Sequence, residues 1–318
     1  MINSFLSIVS VIQDRSELPL LQNYLKGIFS ILQDNFTDWE IILVNNVFGA
    51  PVEEKISPLP PQLKQNIFLL NLSSATNRNH AIVAGLDRAN GDYNLIFELS
   101  LHNRPQYILE LFNKTQEQYD IVYLRAKSKK RRFSQRPFVR LFYTILKHYS
   151  SLKVDENALD TRIISRRALN SLLKLRENLR YMKAIYSIVG YRTASLEVPD
   201  PPVVHTTREH FSERFRTSLV AITSFTSFLR SLLLWIFIFS FLFLLGVITN
   251  ALSVKLTKVD LFGTHQEALT GWTFLVILIS VFFAITCLNL YIMSIYLSNI
   301  YQEIKQRPLY IIESIKRF

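Results

Sequence analysis

Residues 39–49 read Trp39-Glu40-Ile41-Ile42-Leu43-Val44-Asn45-Asn46-Val47-Phe48-Gly49. Four aliphatic residues in a row, three of them β-branched, predict a strand, and the abrupt change to Asn45-Asn46 marks where it ends. Working outward, Phe5–Ile12 is a second apolar, β-branched run, and the helical pattern from about Leu18 to Gln33 lies between the two. On the other side comes a loop with Pro58, Pro60 and Pro61, then a strand over Asn66–Leu72. A helix over about Asn77–Ala89 follows, stopped by Asn90-Gly91, and then a strand over Tyr93–Glu98. Repeated strand-helix-strand units predict an α/β domain with a mostly parallel sheet. Such open sheets bind ligands outside the carboxyl ends of their strands, here near Ile12-Gln13, Asn45-Asn46 and Glu98 to Ser100.

The rest of the chain is of another kind. From Ser231 to Thr249 it reads SLLLWIFIFSFLFLLGVIT, with no charged residue, about the length a helix needs to cross a hydrocarbon core. A second uncharged stretch opens at Gly271-Trp272 and runs to Glu303, longer than a bilayer requires, so its end is expected to continue as helix into the interface. The expected division is therefore a soluble domain over 1–217 and a membrane region over 218–318, with transmembrane helices at about 230–251 and 271–295. Arg208, Arg214, Arg216 and Arg230 precede the first span, and Lys305, Arg307, Lys316 and Arg317 follow the second, so both termini and the soluble domain are expected on the cytoplasmic side. No signal peptide is read at the start. The single cysteine, Cys287, falls in the second span and is expected to be a packing residue.

Composition narrows the classes further. The chain has 318 residues, 49% of them hydrophobic, and 36 Lys plus Arg against 25 Asp plus Glu give a net charge of +11. That excludes a disordered chain, a disulfide-stapled secreted domain and a collagen-like repeat. Much of the excess charge is local. Between Asp120 and Asp155 there is no acidic residue, whereas Arg125, Lys127, Arg131 and Arg132 all lie there, interleaved with aromatic and aliphatic side chains. The segment 133–149 reads as an amphipathic helix, suited to the headgroup layer of an anionic leaflet rather than to nucleic acid. The six histidines form no i, i+4 pair, so zinc is not expected.

Several blocks together carry a resemblance: VSVIQDRSELP at 9–19, WEIILVNNVFG at 39–49, AGLDRANGDYN at 84–94, DTRIISRRAL at 160–169, and YLSNIYQEIKQRPLYII at 296–312, after the second span. They resemble the successive motifs of family 2 glycosyltransferases with the GT-A fold. The similar branch is that of membrane-anchored polyprenyl-phosphate glycosyltransferases, such as dolichyl-phosphate mannose synthase and the bactoprenol glucosyltransferases. The resemblance implies inverting transfer of a sugar from a nucleotide-sugar to polyprenyl phosphate, with Mg²⁺ or Mn²⁺ at the diphosphate, and often a homo-oligomer. It implies catalytic roles for Glu98, Asp160 and Arg162, Asp160 orienting the sugar and Arg162 engaging phosphate. Donor contacts would come from Gln13, Asn45, Asn46 and Ser100. Acceptor phosphate or lipid headgroups would meet Arg125, Lys127, Arg131, Arg132 and Lys183, the last within a segment, Arg180 to Ala184, similar to the family's Arg-Phe-Leu-Arg-Gly.

The chain also departs from the pattern. Where relatives carry Asp-Asp-Gly-Ser it has Asn45-Asn46-Val47-Phe48, and where they carry Asp-Ala-Asp it has Glu98-Leu99-Ser100. Magnesium prefers carboxylate oxygens, and of those positions only Glu98 supplies a charge. Three readings stay open. Glu98, Asn45 and Asn46 hold a metal weakly; or fixed cations replace it; or the chain is a catalytically inactive relative acting as a membrane scaffold or regulator. The last would place Phe48 in the nucleotide pocket, or turn Glu98 away from the strand-end cleft. Arg166 and Arg167 are expected as the solvated first turn of a helix starting near Ser165.

Overall fold

The computed structural model describes residues 1–127, 144–145, 147–149, 155, 157–175, 182–199, 228–259, 271–304 and 308–318. Arg131, Arg132 and most of the expected amphipathic segment 133–149 lie outside the described residues.

Strand β1 spans Ile2–Ile12, and a 3-10 turn over Arg15–Leu20 leads into α1, Leu21–Asn35. There follow β2 (Phe36–Asn45), α2 (Val52–Ile56), α3 (Pro61–Lys64), β3 (Ile67–Leu72), α4 (Arg78–Arg88) and β4 (Tyr93–Ile96). Then come α5 (Tyr107–Thr115), β5 (Ile121–Ala126), β6 (Ala158–Ser165), α6 (Arg166–Lys174), α7 (Met182–Ile188) and β7 (Thr193–Val198). Two long helices, α8 (Phe228–Thr257) and α9 (Gly271–Ile304), precede a last strand, β8 (Ile312–Arg317).

The eight strands form one sheet in the order β7-β5-β6-β4-β1-β2-β3-β8. The pairs β1·β2, β1·β4, β2·β3 and β5·β7 are parallel, whereas β6 runs antiparallel to β4 and β5, and β8 antiparallel to β3. The mostly parallel α/β sheet read from the sequence is thus the one found. Its central strands are buried on both faces, and alternate residues sort into two cores. Leu6, Ile8, Ile41, Leu43 and Phe97 face α1, α2 and α5, and Val9, Ile42, Val44 and Ile164 face α4, α6 and α7.

Helix α4 matters most for the site, because its first residue is Arg78 and the loop before it closes over the strand ends. Its close seat on the sheet depends on Gly85. A Cβ there would stand 2.3 Å from Val9 Cγ1 and 3.0 Å from Val44 Cγ2, well inside van der Waals contact. Asn77 caps the helix, its side chain accepting from the Asn79 amide at 2.9 Å.

Strand β8 was not legible as a strand. After α9 the chain returns to the exposed edge of β3, where the Asn71 Nδ2 donates to Ser314 Oγ at 3.0 Å, and Lys316 pairs with Glu53 at 2.7 Å. The Tyr310 hydroxyl donates to Asp87 on α4. Covering β3 in this way removes a free sheet edge.

Helices α8 and α9 each contain a stretch long and apolar enough to cross a membrane, Ser231–Val254 and Val281–Ser298. Trp235, Phe237, Phe239, Phe283 and Leu290 all point outward from them. Cys287 also lies on the exposed surface of α9, so the packing role expected for it is not seen.

Candidate active site

Because β1, β2, β3 and β4 are parallel, their carboxyl ends share one rim of the sheet. Strand β6 runs the other way, so its amino end reaches the same rim. With Ile96 opposite Arg162, the register carried two residues further sets Glu98 level with Asp160. The strand ends singled out from the sequence therefore do converge, and Asp160 joins them.

Between Glu98 and Asp160 sits a residue that the sequence reading passed over. The Arg78 Nη2 lies 2.5 Å from Glu98 Oε1, and its Nε lies 3.5 Å from Asp160 Oδ2. The two contacts differ in setting. The Glu98 side chain is 6% exposed and Asp160 39%, with Arg78 itself at 28%. A short charge-assisted bond to a buried carboxylate holds the guanidinium, and a longer ion-pair contact, not a hydrogen bond, to the partly exposed Asp160 completes the bridge. The signal for Arg78 was its place immediately after a capping asparagine at the start of a helix that follows a parallel strand, where side chains are presented to the rim.

The two asparagines that stand where the resemblance implies aspartates are structural. Asn46 Nδ2 donates to Gln13 Oε1 at 2.9 Å and to the Thr76 carbonyl at 2.8 Å, while its Oδ1 accepts from the Thr76 amide at 2.8 Å. It thus stitches the ends of β1 and β2 to the loop before α4, and Gln13 is drawn into the same network. Asn45 Nδ2 donates to Asn71 Oδ1 at 2.9 Å, and its Oδ1 accepts from the Val47 amide at 3.1 Å. In both residues the amide oxygen is already taken by a backbone N–H. The next side chain, Asp14, caps the 3-10 turn, accepting from the Ser16 amide at 2.9 Å, while Glu17 accepts from the Gln13 amide at 2.8 Å. The Asp14 amide also donates to Glu17, at 3.4 Å, which completes a capping box.

Phe48 is 70% exposed and does not fill the cleft. Glu98 is buried at the strand ends, where it faces Arg78. Ser100 Oγ is buried without a hydrogen-bond partner among the described residues, as is Thr161 Oγ1.

The other expected residues are placed as follows. Arg162 is buried and turned back onto the amino end of its own strand. Its Nη2 donates to the Leu159 carbonyl at 2.8 Å, its Nε to the Asp160 carbonyl at 3.2 Å, and its guanidinium lies 3.8 Å from the centre of the Tyr186 ring. With Tyr123, Asp155, Tyr186 and Tyr191 it lines a cavity of about 370 Å³ under α7. The Tyr123 hydroxyl donates to Asp155 at 3.1 Å, and burial, reinforced by that carboxylate, pushes the phenol above its ordinary range. Arg125 pairs with Asp155 at 3.1 Å and Glu197 at 3.4 Å. The Lys127 side chain is exposed, and Lys183 lies within α7. Arg166 and Arg167 are not merely solvated, since Arg166 Nη1 donates to the Ala89 carbonyl at 2.7 Å and Arg167 pairs with Asp120 at 2.5 Å.

The donor set does not fit a divalent cation. A hard metal needs several oxygens to spare, preferably carboxylates. Here Glu98 and Asp160 are bridged by a guanidinium, and the Asn45 and Asn46 oxygens accept from backbone amides. Among the described residues no three Asp, Glu, His or Cys side chains are grouped to hold a metal.

No protein-family model matches the chain. It is 27% identical over 307 residues to a glycosyltransferase of Synechocystis, covering 96% of this chain and 94% of that one. A glycosyltransferase of Bacillus subtilis is 26% identical, with 93% and 90% covered. The prophage-derived bactoprenol glucosyl transferase of Shigella flexneri is 26% identical, with 87% and 88% covered. Among solved structures, mannosyl-3-phosphoglycerate synthase from Rubrobacter xylanophilus aligns at 11% identity and a TM-score of 0.45, over 69% of this chain and 72% of that one. Along nearly its whole length, the chain is a homologue of proteins named glycosyltransferases, bactoprenol glucosyl transferases among them, as a family 2 glycosyltransferase would be.

Proposed function

We propose that this protein transfers a sugar from a nucleotide-sugar to polyprenyl phosphate at a membrane surface. The observation that carries this reading is the similarity to proteins named bactoprenol glucosyl transferase, which runs through the sheet and both apolar helices. A lipid acceptor keeps its tail in the bilayer while its phosphate meets a water-soluble donor. Residues 1–217 would therefore rest on the cytoplasmic face, anchored by α8 and α9 with both termini on that side. The described parts agree with this arrangement, since the chain leaves the domain before α8 and rejoins its sheet as β8 after α9.

In the reaction an oxygen of the acceptor phosphate attacks the anomeric carbon as the bond to the donor diphosphate breaks, and configuration inverts. The phosphate is already anionic, so no strong general base is needed. Asp160, partly exposed at the rim, would orient the sugar, while Glu98 holds the cationic side of the site in place.

The test is to incubate the purified protein in lipid nanodiscs with polyprenyl phosphate and a panel of nucleotide-sugars, reading glycolipid by mass spectrometry. One donor should give product, and Glu98→Ala should abolish it. A second reading, a catalytically inactive relative serving as a membrane scaffold or regulator, is favoured by the conversion of Asn45 and Asn46 to structural use. Absence of product with every donor, together with absence of nucleotide binding, would leave that reading in its place.

A further inference from the structure

We propose that Arg78 binds the donor diphosphate directly, in the role a divalent cation would otherwise fill, and that this protein takes up its nucleotide ligand without a metal. The inference rests on the glycosyltransferase reading for the identity of the ligand, and on the rim geometry for the rest.

A nucleoside diphosphate group must be met by positive charge when it binds, and again when it leaves with the electron pair of the broken bond. A metal does this when carboxylates hold it on one side and phosphate oxygens on the other. In this protein the same two-sided arrangement is built from a side chain. Glu98, buried at the end of β4, grips one edge of the Arg78 guanidinium at 2.5 Å, as a ligand carboxylate grips a metal. Asp160 lies 3.5 Å from a second nitrogen, Nε, from a partly exposed position. The tight buried contact fixes the cation. The looser contact can give way, and a phosphate oxygen can approach the Arg78 side chain, 28% of which is exposed, while Glu98 keeps its hold. A guanidinium suits this exchange because its planar fork matches phosphate oxygens and it stays charged at any physiological pH. The mounting is rigid as well, since Asn77 caps α4 directly before Arg78, and Gly85 lets the helix sit hard against β1 and β2. The amides at positions 45 and 46 fit the same scheme. With the cation supplied by the chain, aspartates there would add negative charge to a site that must accept an anion.

The experiment uses the full chain in nanodiscs and isothermal calorimetry with uridine, guanosine, cytidine and thymidine diphosphates, each in excess Mg²⁺ and in excess EDTA. One nucleotide should bind with the same affinity, within about three-fold, in both buffers. Arg78→Gln should weaken it about 10- to 100-fold, the range expected for loss of a charge-assisted contact. Arg78→Lys should recover part of the loss in both buffers. Since Arg78→Gln leaves Glu98 buried without its cation, the double variant Arg78→Gln/Glu98→Gln supplies a neutral pair. It should melt near the wild-type temperature and still fail to bind.

Binding that needs Mg²⁺, or that survives Arg78→Gln unchanged, overturns the inference. Glycolipid formed only with metal sinks it and leaves the transferase reading standing. Metal-free binding that requires Arg78, with no glycolipid from any donor, supports it and sinks the transfer reaction. No nucleotide binding in either buffer removes both.

Discussion

Asn46 grips Thr76 by both of its backbone polar groups: the Thr76 amide donates to Asn46 Oδ1, and Asn46 Nδ2 donates to the Thr76 carbonyl, each at 2.8 Å. A carboxamide can do both, whereas an ionised carboxylate can only accept. The neighbouring Gln13 Oε1 also accepts a hydrogen bond from the same nitrogen. A carboxylate would meet two acceptors with no proton to offer, in a site that is buried.

Asn46→Asp should therefore be harmful even though it restores the residue type that the family resemblance implies. Gln13 can turn its amide to donate, but the Thr76 carbonyl cannot. The expected cost is about 2 kcal/mol for a buried acceptor left facing an acceptor. Thermal melting read by tryptophan fluorescence measures it. If the variant is as stable as wild type and binds Mn²⁺, the structural account of Asn46 is wrong.

Gly85→Ala tests the seat of α4. Alanine favours helix over glycine by about 1 kcal/mol, but overpacking a filled core costs about 1–3 kcal/mol. The new methyl would stand 2.3 Å from Val9 Cγ1, so the second effect should prevail. The variant should lose stability, and nucleotide affinity should fall with it, because α4 carries Arg78. Val9→Ala clears the nearer obstruction and leaves only the 3.0 Å approach to Val44 Cγ2. Gly85→Ala/Val9→Ala should accordingly be less impaired than the sum of the single variants. Strict additivity in a double-mutant cycle would rule out the proposed contact.

The strands and helices of the first half were legible because their sequence signals were local and mutually consistent. Trp39 to Val44 could only be a strand, and Asn90-Gly91 could only end a helix. Convergence of Gln13, Asn46 and Glu98 followed from topology alone, since parallel strands deliver their carboxyl ends to one rim. Two features were not legible. Strand β8 lacks a strong apolar pattern, Glu313, Lys316 and Arg317 being interspersed with Ile312 and Ile315, and it forms by pairing with an edge some 240 residues earlier. Arg78 was missed because a basic residue at the start of a helix reads as solvated. Its partners are Glu98 and Asp160, the second more than 80 residues away, and only the fold brings the three together. Arg162 was found but its direction was not: alternation sets it on the same face as Asp160, yet the Tyr186 ring and its own backbone carbonyls capture the guanidinium.

That capture gives a prediction that separates support from substrate contact. Arg162 is 3% exposed and lies 3.8 Å from the Tyr186 ring centre. Tyr186→Leu keeps apolar volume but removes the ring face, which should cost about 1–2 kcal/mol of stability. KM for polyprenyl phosphate should stay within about two-fold of wild type, because an interaction that does not touch the acceptor leaves ground-state binding unaltered. A large rise in KM with unchanged melting would instead place Arg162 at the acceptor.

The pair Asp120–Arg167 sets an acid limit on stability at the far end of the sheet. Asp120 is buried just before β5. It accepts from Arg167 Nε at 2.5 Å, from Arg167 Nη2 at 2.8 Å and from Ser165 Oγ at 2.7 Å. Burial alone would raise its pKa, but the bonds from Arg167 and Ser165 outweigh it and hold the carboxyl below its ordinary value. A carboxyl with a lowered pKa in the folded state favours folding wherever it is ionised in both states, above about pH 4. That contribution is lost as the pH falls through the folded-state pKa, when the native state must take up a proton it binds poorly. Melting temperature should therefore be level from neutral pH down to about 5 as far as this group is concerned, and fall below about 4. Asp120→Asn should lower stability at neutral pH, by losing the ionic partner of Arg167, and should narrow the gap to wild type progressively on acidification. Melting curves for the two proteins over that range check the sign: a gap that widens as the pH drops would mean that Asp120 is protonated, not ionised, in the folded chain.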